Sequence, residues 1–313
     1  EQPEQVPYGD LVLTSAAFRE GHPPRAVLQV GGRFASKRLR LFLRDSAPEV
    51  WAVVRPDPSR IDPDHRVTHH VEAAVPAAVD ALVARLEEGR RGTTWRDDWT
   101  GASERAGAVV QAHVQESDAL TDPLVAALLT EEMPSEHALV AASSMPVRDL
   151  NRHAAPSGTG GPAFANRGAS GIDGTVATAA GIAEGRDGPV TLLIGDLALQ
   201  HDLNGLALLQ DRPVVAIVVN NDGGGIFHFL PIREHDEFDP YFTTPHGHDF
   251  EHAAALFDLP YHRPDSPSAL RSAYAQACRS GESALIEVQT DRATNRQVHD
   301  RLEASVERAV EEG

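Results

Sequence analysis

Two short apolar runs with a helical stretch between them constrain this chain more than anything else in it. Val190-Thr191-Leu192-Leu193-Ile194 stops at Gly195-Asp196, and Val214-Val215-Ala216-Ile217-Val218-Val219 stops at Asn220-Asn221-Asp222 and three glycines. Both runs are β-branched and almost free of polar residues, the composition of strands buried on both faces of a parallel sheet. Asp202 to Gln210 between them reads as a helix. A strand–helix–strand unit crosses over right-handed, so both strands end on the same edge of the sheet. Asp196 and Asn221 are therefore expected at one crevice, where ligands bind in such sheets.

A carboxylate, a carboxamide and an exposed glycine backbone make an all-oxygen donor set, which suits a hard cation such as Mg²⁺ that shares its remaining positions with water and phosphate. Gly223, Gly224 and Gly225 leave the backbone free to bend at positive φ over such a phosphate. The bland alternative is a strand-ending aspartate that caps a helix and an asparagine pair that makes a turn.

The rest of the chain continues the same alternation. Asp10–Thr14, Ala26–Val30 and Val50–Val54 read as strands, and Ser36–Arg44 and Val75–Glu88 as helices, forming a first α/β layer over residues 1–92. Gly92–Thr100 shows no apolar period and reads as a linker, with a connecting helix to about residue 116. From 117 to 313 the pattern is strand His137–Ser143, helix Val147–Ala154 and strand Ala163–Ala165, then helix Ile172–Ala183 and the two core strands. Helices Phe250–Phe257 and Ala269–Arg279, strand Ala284–Val288 and helix Ala293–Glu311 follow. The expected fold class is α/β with two domains, the second a doubly wound parallel sheet.

Charge narrows the partners. The formal net charge is −18, which argues against nucleic acid and anionic membranes, and Lys37 is the only lysine among 28 basic residues. No apolar run reaches the length of a membrane span. A single cysteine, Cys278, excludes an internal disulfide framework and fits a reducing cytoplasm.

The Gly-Asp…Asn-Asn arrangement resembles the cofactor motif of thiamine-diphosphate enzymes. The flanking segments Ala165-Asn166-Arg167-Gly168-Ala169-Ser170-Gly171-Ile172-Asp173-Gly174 and Asn220–Leu230 resemble one branch of that family. The branch is the 2-succinyl-5-enolpyruvyl-6-hydroxy-3-cyclohexene-1-carboxylate synthases of menaquinone biosynthesis, in which Leu197 after Gly195-Asp196 is the normal residue. The resemblance implies thiamine diphosphate with Mg²⁺ or Mn²⁺, the metal held by Asp196, Asn221 and the Gly223 carbonyl. It also implies cofactor contacts from Ser144, Ser170, Ile172, Gly195, Leu197, Gly225 and Ile226, with Ile172 as the apolar wedge that keeps the cofactor bent. Arg148 and Arg167 are implied at the substrate carboxylates, Lys37 and Arg38 near the mouth of the substrate site, and Phe227 and Leu230 beside the reacting carbon.

The reaction implied is decarboxylation of 2-oxoglutarate and addition of the succinyl unit to isochorismate, a transferase activity shared by at least two subunits of a homo-oligomer. The family's glutamate that acts on the cofactor lies in an N-terminal domain with no counterpart in this sequence, so the chain alone is expected to be inactive. An acetolactate-synthase-like enzyme, a 2-oxoacid decarboxylase and a non-catalytic nucleotide-binding module stay open as alternatives. His246 and His248 are expected in a loop near the site entrance.

Overall fold

The computed structural model describes residues 5–86, 94–156 and 160–313. The chain divides into two compact units, one running to Ala108 and including Ala304–Gly313, the other spanning Val109–Glu303.

The first unit opens with two short helices, α1 (Gly9–Val12) and α2 (Ala16–Gly21). They precede strand β1 (Ala26–Val30), helix α3 (Lys37–Ser46), strands β2 (Val50–Arg55) and β3 (His69–Glu72), helix α4 (Val75–Val83) and the long helix α5 (Thr94–Glu116). The sheet is parallel in the order β1-β2-β3. Ser36 caps α3 and Ser15 caps α2, each side chain accepting the N–H three residues on.

Three expectations fail here. The Asp10–Thr14 run is helical to Val12 in α1 and then turns, because a short apolar run carries no period to separate strand from buried helix. Leu11, Val12 and Leu13 are all fully buried, and the Thr14 hydroxyl bonds back to the Leu11 carbonyl. The linker expected over 92–100 is helical from Thr94, its residues 92 and 93 lying outside the described ones. Trp99, Ala102 and Ala106 form its buried stripe, and Trp99 meets Phe18 edge-on at 5.0 Å. Strand β3 went unseen because His69-His70-Val71-Glu72 is exposed throughout. The end of the helix expected to Glu88 also lies outside the described residues.

The second unit holds α6 (Asp122–Glu132), β4 (Ala138–Ala141), α7 (Met145–His153), β5 (Ala163–Ala165) and α8 (Thr175–Arg186). It continues through β6 (Val190–Gly195), α9 (Asp196–His201), β7 (Val214–Asn220) and α10 (Glu251–Leu256), then β8 (Tyr261–His262), α11 (Pro267–Ser280), β9 (Ala284–Gln289) and α12 (Arg292–Glu311). The six strands pair in parallel in the order β5-β4-β6-β7-β9-β8. Side chains alternate across β7: Val214, Ala216 and Val218 face α8, α9 and α10, whereas Val215, Ile217 and Val219 face α6, α7 and α11. Burial on both faces explains why these strands read as unbroken apolar runs.

Helix α8 starts three residues after the expected Ile172, since Gly174 at φ +68 turns the chain just before it. The expected Asp202–Gln210 helix is a 3₁₀ segment, Leu203–Leu209, that follows α9. Neighbouring strands β4 and β6 send their following helices to opposite faces, opening a crevice at their C-terminal ends.

A polar chain crosses the core of this unit. The Thr191 hydroxyl lies 2.9 Å from Nδ1 of His137 and 2.8 Å from the hydroxyl of Tyr274, which burial pushes well above the ordinary phenol value. Tyr274→Phe is expected to lower unfolding stability by roughly 1–2 kcal/mol, because it removes one partner of a buried hydroxyl. Chemical denaturation checks this; an unchanged midpoint and slope would contradict it.

Candidate functional site

The crevice holds a cavity of about 190 Å³ at the ends of β4, β6 and β7. Its wall includes Ser144 and Met145 from α7, Ile172 from the loop before α8, Gly195–Ala198 from the β6–α9 junction, and Asn221 and Gly223–Phe227 after β7. A strand buried on both faces ends where the first polar residues can reach solvent, and that places Asp196 and Asn221 on one rim.

Asp196 is 3% exposed and organises this rim. Its Oδ1 accepts the Leu197 N–H at 2.7 Å, and its Oδ2 accepts the N–H groups of Asn221 at 3.1 Å and Gly223 at 2.8 Å. Nε2 of His246 lies 3.2 Å from the same Oδ2. Gly223 sits at φ +117, and a Cβ there would meet the Thr243 carbonyl oxygen at 2.1 Å, so only glycine presents its N–H to Asp196. A Cβ on Gly225 would meet the Asn221 carboxamide at 2.7 Å.

The Asn221 Oδ1 atom is buried and has no hydrogen-bond partner among the described residues. An orphaned carboxamide oxygen beside a buried carboxylate and the Gly223 carbonyl fits a divalent ion with oxygen preference. Asp222 is committed elsewhere. At φ +61 its Oδ1 accepts the N–H groups of His246 and Gly247, which hold its carboxyl below the usual range.

The arginines sit beside the cavity rather than in its wall. Arg148, half-buried on α7, donates to the Ser144 carbonyl, and Ser144 itself has φ +74, a strained conformation for a residue with a side chain. Burial first and then the positive charge of Arg167 hold Arg148 below its ordinary value, so the two guanidiniums are close neighbours. Neither forms an ion pair with a described residue.

Ser170 and Leu230 are exposed and do not line the cavity. Lys37 and Arg38 belong to the first unit; Lys37 is exposed, and Arg38 pairs with Asp10 at 3.0 Å.

Sequence reasoning missed three residues and placed a fourth only loosely. His246 contacts Asp196 itself, a tighter placement than the expected entrance loop. Glu287, fully buried on β9, accepts from the Asn220 side chain at 2.7 Å, the Phe250 N–H at 2.8 Å and the Tyr261 hydroxyl at 2.8 Å. Asp122 and Asp149 line the cavity floor, buried to 4% and 2% exposure. No spacing marks any of them, because each reaches its partners through the tertiary fold.

Comparison with known proteins agrees with this geometry. Residues 1–140 match the family described as the middle domain of thiamine pyrophosphate enzymes, and residues 136–288 match the thiamine pyrophosphate enzyme C-terminal TPP-binding domain. A 2-succinyl-5-enolpyruvyl-6-hydroxy-3-cyclohexene-1-carboxylate synthase from Salinibacter ruber is 98% identical over all 313 residues, which cover 53% of its length. The synthase of the same name from Rubrobacter xylanophilus is 51% identical over 298 residues, 95% of this chain and 52% of that protein. The chain thus spans about half the length of the curated relatives it matches. A crystal structure of an enzyme described as thiamin diphosphate-dependent, from Mycobacterium smegmatis, shares the fold. Its TM-score is 0.61 at 20% identity, over 85% of this chain and 48% of that one.

The acidic floor makes stability pH-dependent. Burial, reinforced by the charge of Asp149, raises Asp122 from 3.8 to about 7. Between those values the unfolded chain has lost this proton and the folded chain keeps it, so stability falls as pH rises through the window and stays lowered above it. Asp122→Asn keeps an acceptor for the Thr290 hydroxyl and removes the titration. Its melting temperature is expected to exceed that of the parent at pH 8, by at most about 4 kcal/mol of stability, with no gain below about pH 4. Equal pH profiles for the two proteins would contradict the assignment.

Proposed function

The chain belongs to the thiamine pyrophosphate enzymes, carrying matches to their middle and C-terminal cofactor-binding domains, and from that premise we propose that it forms part of a 2-succinyl-5-enolpyruvyl-6-hydroxy-3-cyclohexene-1-carboxylate synthase. The observation that carries the reading is the rim where Asp196 receives the Asn221 and Gly223 N–H groups while the Asn221 carboxamide oxygen stays buried and unpartnered. Identity of 98% to a named synthase over the whole chain supports the choice of branch.

Asp196, the Asn221 Oδ1 atom and the second lone pair of the Gly223 carbonyl would hold Mg²⁺, which neutralises the cofactor's diphosphate. The glycines after Asn221 let the backbone approach the phosphates without a Cβ between them. Thiamine diphosphate, when bound, supplies the nucleophilic carbon and the electron sink for loss of CO₂ from 2-oxoglutarate. Ile172, a stiff branched side chain in the cavity wall, would keep the cofactor bent. Ile226 and Phe227 make that wall apolar and exclude water from the reacting carbon.

Arg148 and Arg167 would bind carboxylates of 2-oxoglutarate and isochorismate. Two adjacent guanidiniums that form no ion pair among the described residues repel each other, and an incoming dianion would offset that repulsion. A monocarboxylate such as pyruvate would leave one of them unpaired. The intact enzyme is read as a cytoplasmic homo-oligomer acting on small dicarboxylates, with residues 117–313 as its diphosphate- and metal-binding domain. Among the described residues no helix is long and apolar enough to cross a membrane.

Calorimetry and turnover test this together. Asp196→Asn is expected to abolish binding of thiamine diphosphate with Mg²⁺, since a metal-bridged diphosphate loses its charged ligand. In the protein at its full natural length, Arg148→Ala or Arg167→Ala should raise KM for 2-oxoglutarate by about 10- to 100-fold, the worth of one charge-assisted bidentate contact. Preferential release of CO₂ from pyruvate by the unaltered enzyme would overturn the substrate assignment.

A further inference from the structure

At the floor of the cavity and just behind it lie two buried groups to which the reaction gives no role. Asp149 follows Arg148 on α7, and His299 faces it from α12 with Nε2 3.2 Å from the carboxylate Oδ1. They are 2% and 1% exposed. The angle of this contact is too poor for a hydrogen bond, and neither ring nitrogen of His299 has a hydrogen-bond partner among the described residues. Two such groups lose their hydration on burial, and removing either leaves the other uncompensated.

His299 has further contacts. Its ring meets Phe229 edge-on, with centroids 4.9 Å apart and planes at 88°. His153, one turn beyond Asp149 on α7, meets it at 5.3 Å. Phe229 is fixed in turn by Arg296, whose guanidinium carbon lies 4.7 Å from the ring centroid. A single residue of α12 thus touches the elements that carry two walls of the cavity. Helix α7 and its N-cap contribute Ser144, Met145, Pro146 and Asp149, and the Gly225–Phe229 turn contributes Gly225, Ile226 and Phe227.

We propose that His299 is a positioning residue that holds α7 and the Gly225–Phe229 turn at a fixed separation, acting through Asp149 and Phe229, and thereby keeps Arg148 in register with a substrate carboxylate. The last step rests on the reading of Arg148 as a carboxylate ligand. The clamp itself rests only on the contacts of His299. Cofactor binding should be spared, because Asp196 with the Asn221 and Gly223 amides spans the tips of β6 and β7, and α12 reaches that turn through Arg292, which donates to the Asp222 carbonyl, and not through His299.

Three variants separate these contacts. Asp149→Asn keeps the shape and removes the charge, His299→Phe keeps a ring against Phe229 and loses the Asp149 contact, and His299→Leu loses both. In the full-length enzyme, Asp149→Asn and His299→Phe are expected to raise KM for 2-oxoglutarate about 10-fold, with kcat within about threefold and unchanged affinity for thiamine diphosphate with Mg²⁺. In the 313-residue chain, hydrogen exchange should quicken at 145–153 in all three variants and at 225–229 in His299→Leu, with β6 and β7 unaffected. Unchanged exchange in both segments, or exchange that quickens throughout the sheet, would overturn the clamp. A fall in cofactor affinity as large as the rise in KM would overturn it too. Localised quickening in a protein whose unaltered form does not turn over 2-oxoglutarate would sustain the clamp and sink the synthase reading instead.

Discussion

The structure of the second unit depends on one carboxylate accepting backbone N–H groups across a strand gap. Asp196 stands at the tip of β6, and its Oδ2 receives the amides of Asn221 and Gly223 from the tip of β7. A carboxylate buried to 3% exposure persists only when donors replace its lost water, and charge-assisted bonds to backbone amides do so. The same bonds fix the turn after β7, so the geometry that satisfies Asp196 also directs the Asn221 side chain into the cavity. Gly223 is required by that arrangement and not merely tolerated by it, since its φ of +117 and the nearby Thr243 carbonyl exclude any side chain.

Other acidic groups divide by whether donors reach them. Glu287 has three, from Asn220, Phe250 and Tyr261, and ties β9 to the end of β7 and to the segment entering α10. Asp222 has the two amides of His246 and Gly247 and anchors the loop that brings His246 to Asp196. These carboxylates act as staples. Asp122 receives only the Thr290 hydroxyl on its side chain and faces the charge of Asp149, and there burial wins, raising it to about 7.

Much of this was legible in the residues, for a physical reason. Strands β4, β6, β7 and β9 are buried on both faces, so their β-branched runs betray them, and a parallel crossover then fixes which ends meet. Asp196 and Asn221 followed because each directly borders such a run. Legibility failed where one local pattern served two structures. Asp10–Thr14 is as apolar as a strand yet coils into α1, and Thr94–Thr100 looks like a linker because only Trp99 of that stretch is buried. Glu287, Asp122 and Asp149 could not be placed from the sequence at all, and His246 only as far as a loop near the site entrance. His246 reaches Asp196 across 50 residues and Glu287 reaches Asn220 across 67, distances at which spacing carries no signal.

Charge balance connects the site to the rest of the chain. A chain of net charge −18 whose proposed ligands are a diphosphate and dicarboxylates would work against its own field, so positive charge would have to be local to the crevice. The structure places the candidate metal ligands Asp196 and Asn221 on one rim and the Arg148–Arg167 pair beside the cavity. Asp122 reduces the opposing charge, because near neutral pH it holds its proton for about half the time. The cavity is therefore less negative than a count of its three aspartates, Asp122, Asp149 and Asp196, suggests. The charge of the crevice is thereby set by donors and a shared proton placed close to it and not by the overall composition of the chain.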